Sequence, residues 1–144
     1  MPIVQADRLT RIGAALLKGA GASEEEASAV ASGCVNANLA GHDSHGVIAI
    51  PTYIDRIKAG HIVPGAKWTV VQETPTTTVI DGHWGFGFHV NAKAMEMTIN
   101  KAKTANVAAC TVFRQSHVGR LAHYPLMAMR EGDRKSTRLN SSHM

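Results

Sequence analysis

Trp68-Thr69-Val70-Val71 and, after a short break, Thr77-Thr78-Val79-Ile80-Asp81-Gly82 are where the sequence changes its period. Before them, apolar side chains recur every three or four residues. Within them, β-branched residues follow one another and stop at turn residues. The Glu73-Thr74-Pro75 stretch between the two runs predicts a hairpin or two adjacent strands. A helical front part followed by the start of a sheet defines an α/β (α+β) protein.

Toward the N-terminus, Leu9, Ile12, Leu16 and Leu17 recur at helical spacing, and Gly19 and Gly21 bracket a stop. Ser23-Glu24-Glu25-Glu26 is a capping box. The Ser23 hydroxyl accepts from the backbone of Glu26, and the Glu26 carboxylate reaches back. Three acids in that first turn also suit the positive end of the helix dipole. The second helix runs to about Leu39 and carries Ala27, Val30, Ala31, Cys34, Val35 and Ala37, so Cys34 reads as core. Gly41-His42-Asp43-Ser44-His45-Gly46 then interrupts with polar residues between glycines. Pro51 suits a first helical turn, and Tyr53, Ile54 and Ile57 follow until Gly60.

Toward the C-terminus, Trp84-Gly85-Phe86-Gly87-Phe88 is a Gly-aromatic loop leading into a helix over about 89–104. Residues 107–113 form an apolar run that predicts a buried strand, central in the complete sheet and containing Cys110. Gln115-Ser116-His117-Val118-Gly119 follows the strand, and a last helix is expected over about 120–130, which Pro125 shortens or bends if it lies beyond the first turn. After Gly132 the periodicity stops. Residues 133–144 (DRKSTRLNSSHM) resemble translated adapter sequence and are set aside as an extraneous polar tail.

Composition excludes several classes. No window approaches the roughly 18 consecutive apolar residues of a membrane span, and the first residues lack a secretory signal pattern. Two distant cysteines, Cys34 and Cys110, fit a reducing cytoplasm better than a disulfide scaffold. The net charge of +4 comes from 15 basic and 11 acidic side chains. Three basic residues and one acidic residue lie in the last twelve positions, which leaves 12 against 10. With no basic stripe and only 5% aromatic residues, nucleic-acid binding is unsupported.

Three constellations can carry chemistry. His42-Asp43-Ser44-His45 offers imidazoles able to exchange protons near neutral pH beside a hydroxyl. The same residues also suit a turn cluster, or a metal- or ligand-binding module together with His117. Ser116-His117-Val118-Gly119-Arg120 sits at a strand end, where α/β layers bind ligands, and Arg120 can grip an anion. Gly82-His83-Trp84-Gly85-Phe86-Gly87 lacks the full G-x-G-x-x-G fingerprint and reads as a tight turn.

The ordered series Asn38-Leu39-Ala40-Gly41-His42-Asp43-Ser44-His45-Gly46-Val47, Pro51-x-Tyr53, Gly60-x-Ile62-x-Pro64, Asp81-Gly82…Gly85-x-Gly87 and Ser116-His117-x-Gly119-Arg120 resembles the malate/L-lactate dehydrogenase family. Within it, the nearest likeness is to the hydroxycarboxylate dehydrogenase branch. The resemblance implies a non-Rossmann mixed-sheet fold and hydride transfer between NAD or NADP and a 2-oxo or 2-hydroxy acid. It implies that His45 donates the proton, that Ser44 pairs with it, and that His117 serves in catalysis or in the cofactor loop. Residues His117, Val118, Gly119, Arg120 and Leu121 would touch the cofactor of a neighbouring subunit, which implies a homodimer. No metal is implied. On this basis residues 1–63 form a helical region and 64–132 the first part of a nicotinamide-binding domain.

Two departures stand out. Many members carry an arginine four residues after the catalytic histidine, where this chain has Ala49. Family chains are also more than twice this length, so the 144 residues alone are expected to be inactive and poorly soluble.

Overall fold

The computed structural model describes residues 3–132, so the tail at 133–144 lies outside the described residues. Five α-helices and a three-stranded mixed sheet form the described fold. Helices α1 (Ala6–Gly19) and α2 (Glu24–Leu39) pack against each other, and α3 (Ile50–Lys58) follows after two short 3-10 turns. Strands β1 (Thr69–Glu73) and β2 (Thr77–Asp81) make the expected antiparallel pair. Helix α4 (Gly87–Ala105) crosses to β3 (Ala109–Phe113), which lies parallel to β2, and α5 (His123–Arg130) closes the described chain.

The capping box forms as the sequence predicts. Glu26 N–H donates to Ser23 Oγ at 3.2 Å, and Ser23 N–H to Glu26 Oε2 at 2.9 Å. Every apolar position predicted inward on α2, from Ala27 to Ala37, is buried, and Cys34 among them is fully enclosed. Burial pushes the Cys34 thiol up to about 12. Helix α1 differs from expectation. Leu17 is buried, but Ile12 and Leu16 stay 44% and 52% exposed. The contact with α2 runs through Gly13 instead, where a Cβ would lie 3.3 Å from the Ala31 Cβ and 2.8 Å from Ile50 Cδ1. A close approach at a glycine tilts the buried stripe toward Gly13 and Leu17 and away from Ile12 and Leu16.

Strand β3 is less covered than its apolar run predicts. The strand order is β1-β2-β3, so β2 holds the centre and β3 an edge among the described strands. Its residues alternate between exposed and partly buried. Only Cys110 and Val112 pack against the Ile80, Val90 and Ala94 cluster under α4. A continuous apolar run signals two covered faces, but here α4 covers one. Helix α4 begins two residues earlier than the pattern indicated, and α5 begins three later, which puts Pro125 within its first turn.

Long-range clamps join the helical front to the sheet. Glu26, 5% exposed, accepts the Gly65 N–H with both oxygens, at 2.9 and 3.1 Å. Phe88 of α4 inserts beneath α2, where a Cβ on Gly33 would meet its ring at 2.6 Å.

Candidate functional site

Two polypeptide turns carry the histidines, and each is built locally before it meets the other. The first is the 3-10 turn Asp43–His45, suspended from Asn38 at the end of α2. Asn38 Nδ2 donates to Asp43 Oδ1 at 2.6 Å, and Asn38 Oδ1 accepts the Val47 N–H at 2.9 Å. Gly46 lies beneath the Asn38 amide, where a Cβ would come within 2.3 Å of Oδ1. This scaffold directs Ser44 and His45 outward as neighbours, with Ser44 Oγ 3.0 Å from His45 Nδ1.

The second turn leaves the end of β3. Asp81, at the end of β2, receives a forked pair of hydrogen bonds from Arg114 and one from the His83 N–H at 3.0 Å. Hydrogen bonding by Arg114, reinforced by its charge, holds the Asp81 carboxyl down at about 2. Gly82 N–H then donates to Phe113 O at 2.9 Å and Trp84 N–H to Arg114 O at 2.5 Å, so the turns after β2 and β3 are tied together. Ser116 N–H reaches Gly85 O at 3.1 Å, while Gly87 N–H donates to Ser116 Oγ at 3.1 Å. Gly87 must lack a side chain, since a Cβ would meet Ser116 O at 2.3 Å. Tyr124 OH donates to Val118 O at 2.6 Å from α5.

These ties bring His117 to His45. The ring centroids are 5.6 Å apart with an interplanar angle of 31°. Tyr53, buried on α3, places its hydroxyl 2.8 Å from His117 Nδ1 and stacks its ring at 5.9 Å. Phe88 meets both rings edge-on, at 6.0 Å from Tyr53 and 6.3 Å from His117. Gly119, at φ +72°, turns its N–H back to His117 Nδ1 at 3.2 Å.

The sequence singled out Ser44, His45 and His117, and the fold brings them together. It also shows Tyr53, Asn38 and Phe88 as their supports, which residue patterns did not mark as site residues. The Pro51-x-Tyr53 motif was the available signal for Tyr53.

His42 and Asp43 do not join this group. His42 turns Nδ1 toward Ala40 O at 3.1 Å, and Asp43 is engaged by Asn38. Among the described residues, no group of three or more His, Cys, Asp or Glu side chains is placed to hold a metal ion.

Arg120, Val118 and His123 border a void of about 10 Å³ with Gly33, Asn36 and Phe88. The Arg120 Nε is buried and has no hydrogen-bond partner among the described residues. Burial, with the charges of Arg130 and Arg120, holds His123 below its usual value. An orphaned guanidinium donor of this kind suits an anionic oxygen, as a cofactor phosphate or a carboxylate would supply.

A family model for malate/L-lactate dehydrogenase matches residues 4–141. The chain belongs to the malate/L-lactate dehydrogenase family. The L-sulfolactate dehydrogenase of Methanocaldococcus jannaschii is 40% identical over 116 residues, covering 81% of this chain and 34% of that protein. Hydroxycarboxylate dehydrogenase B of Escherichia coli is 34% identical over 110 residues, covering 76% of this chain and 30% of its own length. The solved sulfolactate dehydrogenase from Methanocaldococcus jannaschii matches with a TM-score of 0.88 at 36% identity, covering 90% of this chain and 38% of that one. The chain thus spans about a third of the length of the family members it matches. Among the described residues, no helix is long and apolar enough to cross a membrane.

Proposed function

We propose that this chain supplies the proton-handling half of an oxidoreductase that moves hydride between NAD or NADP and a 2-oxo or 2-hydroxy acid. The observation that carries the reading is the placement of His45, with Ser44 on its Nδ1, 5.6 Å from His117. That array belongs to a family whose similar members are named dehydrogenases of sulfolactate and of hydroxycarboxylates.

The nicotinamide supplies the hydride. In reduction, the carbonyl carbon gains the hydride and its oxygen takes a proton from the His45 imidazole. In oxidation, the same imidazole receives the proton. Ser44 fixes the ring by its contact with Nδ1. His117 faces the same space, and residues 117–121 hold the cofactor of a neighbouring subunit, which makes the working enzyme a homodimer. Arg120, through its unpaired Nε, binds a cofactor phosphate or takes the carboxylate-gripping part that Ala49 cannot play.

In this reading residues 1–63 and 64–132 are the helical region and the opening of the cofactor domain. The setting is the cytoplasm, where Cys34 and Cys110 stay free thiols. The 144 residues by themselves are expected to show no turnover, because the family members they match are about three times as long.

The test is His45→Ala in the chain joined to the remainder of its reading frame, assayed with NADH and NADPH against a panel of 2-oxo acids. The chemical step should slow by about a hundredfold or more, the usual scale of general acid catalysis. An undiminished rate would remove His45 from the mechanism.

A further inference from the structure

We propose that Tyr53 and the Gly119 backbone together lock His117 in one tautomer, with Nδ1 bare and the proton on Nε2, so that the two histidines have different work. The inference rests on the reading of His45 as proton donor for its functional meaning, but not for its geometry. A backbone N–H can only donate, and the Gly119 N–H points at His117 Nδ1 from 3.2 Å. Nδ1 is therefore an acceptor, and a neutral ring with a bare Nδ1 carries its hydrogen on Nε2. The Tyr53 hydroxyl, 2.8 Å from the same nitrogen, must then donate as well.

Both donors are held in place by groups other than His117. Tyr53 is buried on α3, with burial pushing its phenol well above the ordinary tyrosine range, so it keeps its proton. Gly119 is held at φ +72° beneath the Phe88 ring, and Tyr124 fixes the preceding carbonyl at Val118. Placing a proton on Nδ1 would set it against the Gly119 N–H and force the Tyr53 hydroxyl to turn from donor to acceptor.

His45 is framed differently. Its Nδ1 meets the Ser44 hydroxyl, a group that can give or accept a hydrogen and so can follow a change of protonation. The structure thus assigns the mobile proton to His45. His117 becomes a fixed Nε2–H donor that orients an acceptor oxygen. Tyr53 is a positioning residue acting through His117.

The experiment is ¹⁵N–¹H correlation of the histidine ring nitrogens in the 144-residue chain, from pH 6 to 8, with assignment by His117→Gln and His45→Gln. The expected result is a His117 Nδ1 resonance near the unprotonated limit and an Nε2 near the protonated one. Tyr53→Phe should move the Nδ1 resonance further toward the unprotonated limit, since one of its two donors is lost, while the His45 signals hold. A wild-type spectrum with protonated Nδ1 on His117 overturns the proposal. So does a folded Tyr53→Phe variant with unshifted His117 nitrogens. If Tyr53→Phe does not fold, substituting 3-fluorotyrosine at position 53 keeps the shape and makes the hydroxyl a stronger donor. It should shift Nδ1 in the opposite sense, and no shift counts against the proposal. None of these readouts needs cofactor or turnover. Absence of dehydrogenase activity in the complete enzyme would overturn the functional reading and leave the tautomer result standing.

Discussion

The carboxylate of Glu26 closes the N-terminus of α2 by accepting the Ser23 N–H on Oε2, and with both oxygens it accepts the backbone N–H of Gly65, 39 residues further along the chain. One side chain thus caps a helix and pins the connection that leads into β1. Glu26→Ala should destabilise the fold by about 2–3 kcal/mol, combining a lost cap with a lost hydrogen bond to a charged group. Glu26→Gln, which keeps an acceptor, should cost about 1 kcal/mol. Urea denaturation followed by far-UV circular dichroism measures both, and equal stability of the alanine variant and wild type would refute the clamp.

Asn38 is the support from which the His45 turn is suspended. Asn38→Ala removes the acceptor for Val47 N–H and the donor to Asp43, and should cost about 1–2 kcal/mol. The perturbation should be local, with the ring signals of His45 broadened or shifted and those of His83 unchanged. Identical His45 signals in the variant would mean that the turn holds its own shape.

The Asp81–Arg114 fork gives a pH signature. Arg114 holds the Asp81 carboxyl at about 2, against an ordinary value of 3.8. A depressed carboxyl contributes stability that is complete above its unfolded value and is lost as pH falls through the folded one. Wild type should therefore lose stability between about pH 4 and 2 relative to Arg114→Met. That variant should be less stable at pH 7, with a shallower acid slope. Urea midpoints for the two proteins at pH 7, 4, 3 and 2 decide it, and parallel curves would rule the linkage out.

Cys34 offers a probe of core opening. With its thiol fully enclosed and pushed up to about 12, almost no thiolate exists at pH 8. Alkylation by iodoacetamide should spare Cys34 until the chain unfolds, while the partly exposed Cys110 reacts earlier. Peptide mapping after timed quenching reads the order. Simultaneous labelling of both would indicate a looser helical region.

Local chemistry was legible in the sequence, and placement across the chain was not. The Ser23 to Glu26 capping box closes within one helical turn, so spacing alone predicts it. The second duty of Glu26 toward Gly65 depends on how α2 meets a distant connection, which no spacing encodes. Ser44 beside His45 was equally readable, being adjacent in sequence. The family resemblance marked both His45 and His117, but that their rings stand against each other was not legible, because nothing within either loop points to the other. Tyr53 showed an apolar, helical position and a place in the Pro51-x-Tyr53 motif, neither of which tells that its hydroxyl finds its partner 64 residues away. The incomplete cover of strand β3 follows from the same limit. Hydrophobicity reports how many faces a segment is built to cover, not which of them the described residues cover.

Phe88 stands between two glycines on separate elements. A Cβ on Gly33 would strike its ring at 2.6 Å, and one on Gly119 at 2.2 Å. The ring fills the space that two missing side chains leave, so the three positions cannot drift independently. A lineage that acquires alanine at Gly33 would need a smaller residue at Phe88. That shrinkage would loosen the packing against Gly119, and with it the backbone that holds His117. The path of substitution through this histidine pair is thus narrowed by a residue that takes no part in its hydrogen bonds.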